Sequence, residues 1–140
     1  MQITRQADYA VRAVHYLAQL GLEQRAATSQ IAQEQHIPPS FLAKIVSQLS
    51  VAGLLQTSRG ARGGVSLARP AEQISLLEVV EAIDGPILLN ECVGDKGGSC
   101  VFGEDCPMRP VWCEAQSKLV DTLNATSFAH FQSRLVPAND

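Results

Sequence analysis

The sequence predicts a mainly α-helical fold with one small β-hairpin. Apolar residues recur at helical spacing through most of the 140 residues, and two short extended runs flank a glycine-rich segment between residues 54 and 68. With 46% hydrophobic and 18% charged residues, the composition argues against a disordered chain. The length allows one compact domain with a hydrophobic core.

Three helices are predicted in the first half of the chain. The first begins at the N-cap Thr4, ends at Gly21 and has an apolar face of Ala10, Val14, Leu17 and Leu20. The second is short, with Thr28 as its N-cap and an end before Ile37, because a residue that precedes proline avoids the helical region. The third opens within PPS and runs through FLAKIVSQLSVAGLL, with an apolar face of Leu42, Ile45, Val46 and Leu49.

The second and third helices, joined by a tight break at QHIPPS, have the organisation of a helix-turn-helix. Extended runs at Leu54–Thr57 and Val65–Ala68 then predict a β-hairpin with an arginine-bearing tip. A hairpin directly after a helix-turn-helix indicates a winged helix-turn-helix that binds double-stranded DNA. The residues that we expect to contact DNA are Ser40, Phe41, Lys44, Arg59 and Arg62.

The second half of the chain predicts two more helices around a glycine-rich loop. Ser75 and Glu78 form a capping box for a fourth helix that Gly85 ends, and Pro107 is suited to begin the last one. The apolar stripe of the last helix favours packing across a homodimer and consists of Trp112, Ala115, Leu119 and Leu123. We therefore divide the chain into a winged helix-turn-helix at 1–86, a loop at 87–106, and a dimerisation helix with a C-terminal tail at 107–140.

Charge is distributed unevenly along the chain, whose formal net charge is −3. Residues 1–73 contain seven Lys and Arg against four acids, a net charge of +3, whereas the remainder contains four bases and ten acids, a net charge of −6. Because attraction to phosphate depends on local charge, the first part can face DNA while the acidic part points away.

Four cysteines fall within 22 residues, at 92, 100, 106 and 113, and the sequence has no others. Three of them lie among glycine and polar residues, whereas buried structural cysteines favour apolar faces, so we interpret them as metal ligands. Structural zinc favours paired Cys-x2-Cys knuckles, which are missing here, and iron-sulfur clusters accept wider spacing. A zinc-stabilised DNA-binding module without sensing stays the alternative.

Neither a membrane protein nor an enzyme is predicted. Arg5, Asp8 and Arg12 interrupt the N-terminal segment, and no apolar run is long enough to span a membrane, so we expect a cytoplasmic protein. Cys106 and Cys113 lie in no recognisable nucleophile motif. The three histidines, His15, His36 and His130, are scattered singly along the chain.

Several segments together resemble the family of bacterial regulators that includes IscR, NsrR and RirA. These segments are ADYAVRAV, PPSFLAKIVSQL, SRGARGGVSLAR, LLEVVEAIDGP and the CxxxxxxxCxxxxxC loop followed by PMRPVW. The resemblance extends to about Ala125. It implies a dimeric winged-helix repressor or activator that holds one iron-sulfur cluster per subunit. We expect a repressor that senses iron status, nitric oxide or redox stress through this cluster.

The resemblance also implies a ligand set for the cluster. The three family cysteines match Cys92, Cys100 and Cys106, with a first gap similar to that of the iron-responsive RirA branch. Two-iron members have a histidine where this chain has Arg109, which favours [4Fe-4S] over [2Fe-2S]. Nitric-oxide-sensing members use an aspartate of the partner subunit's first helix, which Asp8 matches, and Cys113 is the competing fourth ligand.

Overall fold

The structure is a computed structural model that describes residues 2–61, 63–93 and 101–132. These residues form six α-helices and one antiparallel hairpin, which confirms the predicted mainly helical fold class. The elements are α1 (Arg5–Leu20), α2 (Thr28–Gln35), α3 (Pro39–Val51), β1 (Leu55–Ser58), β2 (Gly64–Leu67), α4 (Leu76–Asp84), α5 (Arg109–Ala125) and α6 (Ala129–Gln132). Within the described parts of the chain, no helix combines the length and the apolar character that a membrane crossing needs.

Both predicted ends of α1 are confirmed. The Thr4 side chain accepts a hydrogen bond from the Ala7 amide, and Gly21 ends the helix with φ 107°. The Thr4 amide and hydroxyl also donate to the carboxylate of Asp84 at the end of α4, with 3.2 Å between the amide nitrogen and Oδ2. The start of α1 is therefore attached to the end of α4.

Several predicted boundaries were wrong by a few residues. Ala27, and not Thr28, is the N-cap of α2, because the Ala27 carbonyl accepts the first helical hydrogen bonds and no side chain caps the helix. Helix α3 ends at Val51, short of the predicted span, since Gly53 turns the chain with φ 79°. Helix α5 begins at Arg109 rather than Pro107.

The hairpin, which we call the wing, consists of β1 and β2. Both strands are shifted by one residue from the prediction, and their register pairs Leu55 with Leu67 and Ser58 with Gly64. A backbone bridge joins Val65 to Ala26, with N–O distances of 2.8 and 3.0 Å. This bridge holds the wing against the segment that precedes α2.

One main hydrophobic core joins α1, α2, α3, the wing and the residues that follow α5. Phe128 is fully buried in this core, and the segment around it pairs with the start of α4 through the Leu76 amide and the Thr126 carbonyl at 2.8 Å. Leu119 and Leu123 of α5 pack against a second cluster of the same chain, formed by Ala7, Leu77, Val80 and Ile87. Two of the four residues of the predicted apolar stripe on α5 are therefore packed against the same chain.

Gly64 generates the first stability prediction. A Cβ atom there would lie 2.8 Å from the Ala26 carbonyl oxygen, and φ is 147°, whereas a Cβ atom at Gly60, with φ 96°, would meet no atom of the described residues within 4 Å. We expect Gly60→Ala to lower the free energy of unfolding by about 1 kcal/mol through backbone strain. Gly64→Ala should cost about 2–4 kcal/mol, because overpacking adds to that strain. Urea denaturation measures both free energies of unfolding. Equal losses in the two variants would contradict the close approach of residue 64 to the Ala26 carbonyl.

Glu78 generates a prediction about pH. Burial by itself raises its pKa, but hydrogen bonds from Arg69 and Ser75, together with the Arg69 charge, outweigh burial and lower the pKa overall. The Arg69 guanidinium lies 2.7 Å from the Glu78 carboxylate, and Glu78 also completes the capping box of α4. A lowered carboxyl pKa in the folded state means that ionised Glu78 stabilises the fold above the unfolded-state pKa. This stabilisation is lost as the pH falls through the folded-state pKa.

We expect Glu78→Gln to lower the free energy of unfolding at pH 7 by at most about 1 kcal/mol, because the side chain is 40% exposed and solvent screens the pair. Glutamine can still accept a hydrogen bond from the Ser75 amide, so the difference in unfolding free energy between the native protein and Glu78→Gln reports the charge alone. The difference should shrink as the pH is lowered toward 3. Glu72→Gln, at an exposed position in the preceding turn, is the control. If Glu78→Gln lowered the free energy of unfolding by the same amount from pH 7 to pH 3, the ionised carboxylate of Glu78 would not be the stabilising form.

Candidate DNA-binding surface and cysteine site

The exposed side of α3 carries three of the residues that the sequence predicts to contact DNA. Ser40, Phe41 and Lys44 are all exposed in the first two turns. The opposite side of α3 is buried in the core through Leu42, Ile45, Val46 and Leu49. Packing therefore fixes which side of α3 faces outward.

Proline starts α3 and shapes the break before it. Pro38 is the N-cap and Pro39 is the first helical residue, where its missing N–H costs nothing. His36 ends α2 in the left-handed conformation with φ 55°. Ile37 lies between these two helices and is 2% exposed, so it anchors the turn in the core. This is the geometry of a helix-turn-helix with the start of its second helix open to solvent.

The wing presents Arg59 at the end of β1, where the residue is exposed. Arg62, the other predicted wing residue, lies outside the described residues. Across the described ranges, neither Lys44 nor Arg59 has an acidic partner within ion-pair distance. Both cations are thus available to phosphate.

The three described cysteines lie within α5 or in segments near it in the chain or packed on it. Cys92 is in a 3-10 turn, Glu91–Val93, that packs against α5, and it is 8% exposed. Cys106 lies three residues before the first residue of α5, Arg109, whose amide donates a hydrogen bond to the Cys106 carbonyl at 3.2 Å. Cys113 is half-buried within α5. Cys100 lies outside the described residues.

Gln116 of α5 binds the segment that precedes Cys92. Its side chain donates to the Ile87 carbonyl at 2.6 Å and accepts from the Leu89 amide at 2.9 Å. The sequence alone did not single out Gln116, because a glutamine in a polar helix gives no signal of what it binds. This bidentate contact holds to α5 the start of the predicted loop at 87–106, which we call the cysteine loop.

The described thiols suit a thiolate-bound centre but do not complete one. Cys92, Cys106 and Cys113 are free, with no disulfide among them. No grouping of three or more His, Cys, Asp or Glu side chains at metal-binding spacing occurs in residues 2–61, 63–93 and 101–132. Free thiols on turns are the donors that iron-sulfur clusters use. The remaining predicted thiol, Cys100, is the one that these ranges leave out.

Asp8, the predicted fourth ligand, lies in the first turn of α1. Its carboxylate pairs with Arg12 at 3.0 Å, and the side chain is 53% exposed. The neighbouring residue, Tyr9, contacts Phe41 of α3, with 6.0 Å between ring centroids. Sequence reasoning missed this role of Tyr9, since an aromatic residue on an amphipathic helix predicts only burial.

A helix-turn-helix with an exposed second helix, followed by a hairpin that carries arginine, defines a DNA-binding winged-helix protein. A family model, Rrf2, described as "Iron-dependent Transcriptional regulator", matches residues 3–134. The chain therefore belongs to the Rrf2 family of transcription regulators and is not an enzyme.

Relatives agree with this family, and solved structures share the fold of this chain. An HTH-type transcriptional regulator of Mycobacterium tuberculosis is 32% identical over 98% of this chain and 84% of its own length. The regulator NsrR of Geobacillus kaustophilus is 32% identical over 92% of this chain and 88% of its own. CymR, the global cysteine regulator of B. subtilis, has the same fold, with a TM-score of 0.81 at 24% identity, covering 96% of this chain and 98% of its own. IscR of T. potens also has this fold, with a TM-score of 0.79 at 21% identity, covering 100% of this chain and 92% of its own.

The exposed arginine of the wing generates a binding prediction. Arg59→Ala should weaken DNA binding and lower the slope of log affinity against log salt concentration by about one unit, because one phosphate contact is lost. Lys118→Ala is the control, since Lys118 is an exposed cation on α5, away from the wing and α3. Fluorescence anisotropy at several salt concentrations measures the slope. An unchanged slope for Arg59→Ala would show that the wing tip does not reach DNA.

Proposed function

We propose that this chain is a homodimeric repressor that binds operator DNA in the cytoplasm. We further propose that it senses iron status, nitric oxide or redox stress through an iron-sulfur cluster. The observation that carries the regulatory role is the exposed face of α3 with Ser40, Phe41 and Lys44, followed along the chain by a wing that exposes the cation Arg59. Arg62 is included among the proposed DNA contacts from its sequence position. A recognition helix of this kind uses its first turns to reach base edges in the major groove.

The proposed dimer uses the first half of α5. Trp112 is 41% exposed and Val111 61%, while Met108 just before the helix is 56% exposed. Large apolar side chains that remain exposed at one end of a helix favour contact with a partner. A second copy of the chain that packs there would bury them, whereas Leu119 and Leu123 farther along α5 are already covered within the chain.

The proposed cluster ligands are Cys92, Cys100 and Cys106, with [4Fe-4S] favoured over [2Fe-2S] because Arg109 cannot ligate iron. When bound, the cluster would supply the reactive group: its iron can be lost when iron is scarce and can react with nitric oxide or oxygen. The chain's own contribution is to hold the thiols: Gln116 fixes the entry to the loop, and the turn with Cys92 packs against α5. Helix α5 then connects the cysteine loop to the proposed dimer contact.

Asp8 of the partner subunit is the proposed fourth ligand. Its exposed carboxylate is accessible to another chain, and its ion pair with Arg12 is a surface pair worth only about 0–1 kcal/mol. Releasing Asp8 from Arg12 therefore costs little. The competing ligand, Cys113, is already held in α5 of the same chain.

Single replacements of Cys92, Cys100 and Cys106 by alanine test the cluster. Each variant, purified without oxygen, should lose most of its iron, sulfide and visible absorption. Each should still fold, because the main core of the described residues includes neither Cys92 nor Cys106 and is formed by other side chains. Iron and sulfide assays with circular dichroism measure both properties. Full iron and sulfide content in one variant would remove that cysteine from the ligand set. Zinc without sulfide in the native protein would instead support the zinc-stabilised module.

The fourth ligand is tested by comparing Asp8→Ala with Cys113→Ala, each matched to the native protein. A carboxylate is a harder ligand for iron than a thiolate and is more readily exchanged. We therefore expect Asp8→Ala to change the visible spectrum and the response to added thiol, and Cys113→Ala to leave both unchanged. Changes in Cys113→Ala alone would make the site local to one chain.

A further inference from the structure

We propose that Phe41 contacts the 5-methyl group of a thymine in the major groove and that Tyr9 positions its ring for this contact. The inference rests on the proposed binding of operator DNA by α3. It goes further by naming a base group that the protein recognises and a residue outside the helix-turn-helix that supports the recognition.

Phe41 is an apolar residue placed among polar ones at the start of α3. Its amide donates to the Pro38 carbonyl at 3.0 Å, which places it in the first turn, and the residue is 40% exposed. The residues beside it on the outer surface, Ser40, Ala43 and Lys44, are polar or small. The neighbouring core residue Leu42 is 1% exposed, so the outward position of Phe41 is not a consequence of loose packing.

The chemistry of the major groove selects the proposed contact. Every base edge there offers hydrogen-bonding groups, but among the four standard bases only thymine also offers a methyl group. A phenyl ring cannot satisfy hydrogen-bonding groups, whereas burying a methyl group against it is favourable. Ser40 and Lys44 provide the polar contacts around it. Phe41 therefore matches thymine better than any other base.

Tyr9 limits where the Phe41 ring can lie. The two rings are tilted by 41° with centroids 6.0 Å apart, which is the spacing of favourable aromatic pairs. Tyr9 is half-buried and packs against the main core, so it is the fixed member of the pair. Its hydroxyl makes no hydrogen bond to any of the described residues. The ring of Tyr9, rather than its hydroxyl, therefore positions Phe41.

Replacing thymine by uracil in the operator tests the contact, because this change removes only the methyl group. The full-length protein, purified without oxygen, first selects its preferred site from random duplexes, and each thymine is then replaced in turn. We expect one thymine per half-site whose replacement weakens binding by the native protein about fourfold, the effect of one buried methyl group. Phe41→Ala should bind the thymine and uracil forms equally. Ser40→Ala, the control, should keep the preference even where its affinity is lower.

Tyr9 variants separate positioning from a merely structural role. Tyr9→Phe should retain the preference for thymine, whereas Tyr9→Leu and Tyr9→Ala should reduce it, with thermal unfolding used to confirm that the variants fold. Site-specific binding that is indifferent to every uracil replacement, or a preference that survives Phe41→Ala, would overturn the inference and leave the proposed function intact. Failure of the protein to select any site would overturn both. An unchanged preference in folded Tyr9→Leu and Tyr9→Ala would remove Tyr9 from the proposal.

Discussion

The buried face of α1 is the constraint on which the rest of the structure depends. Its buried residues are mostly small, namely Ala7, Ala10, Ala13, Val14, Leu17 and Ala18. Small side chains allow the neighbouring helices to approach closely, and α1 contacts α2, α3, α4 and α6 as well as β2. A larger residue on this face would displace the recognition helix together with the elements that hold it.

The first turn of α1 lies at the meeting point of both proposed activities. Adjacent residues there have different neighbours: Asp8 is exposed and pairs with Arg12, while Tyr9 contacts Phe41 on α3. Ala7 belongs to the cluster that covers part of α5. Because successive residues of a helix point in different directions, Asp8 can be exposed while Tyr9 contacts α3 and Ala7 belongs to the cluster on which α5 packs.

The part of the chain that follows α5 also contributes to this core. Phe128 is fully buried in the main core, and its amide donates to the Ile74 carbonyl, which lies far before it in sequence, at 3.1 Å. Helix α5 is thus held near its middle by Gln116 and beyond its C-terminus by the burial of Phe128. The cysteine loop is consequently connected to a fixed helix rather than to a free extension.

Local signals in the sequence determined much of this protein. Helix ends were set at Thr4, at Gly21 and at the Ser75–Glu78 box by side-chain and backbone preferences that act within a few residues. The apolar periodicity predicted the buried face of α3 and that of α1, except that Leu20 was wrong: it lies at the end of α1 and is 37% exposed. Only the tertiary structure decided the boundaries at Ala27 and Val51, the contact between Tyr9 and Phe41, and the attachment of the cysteine loop by Gln116. These features depend on neighbours distant in sequence, and composition and periodicity carry no information about which distant residues will meet.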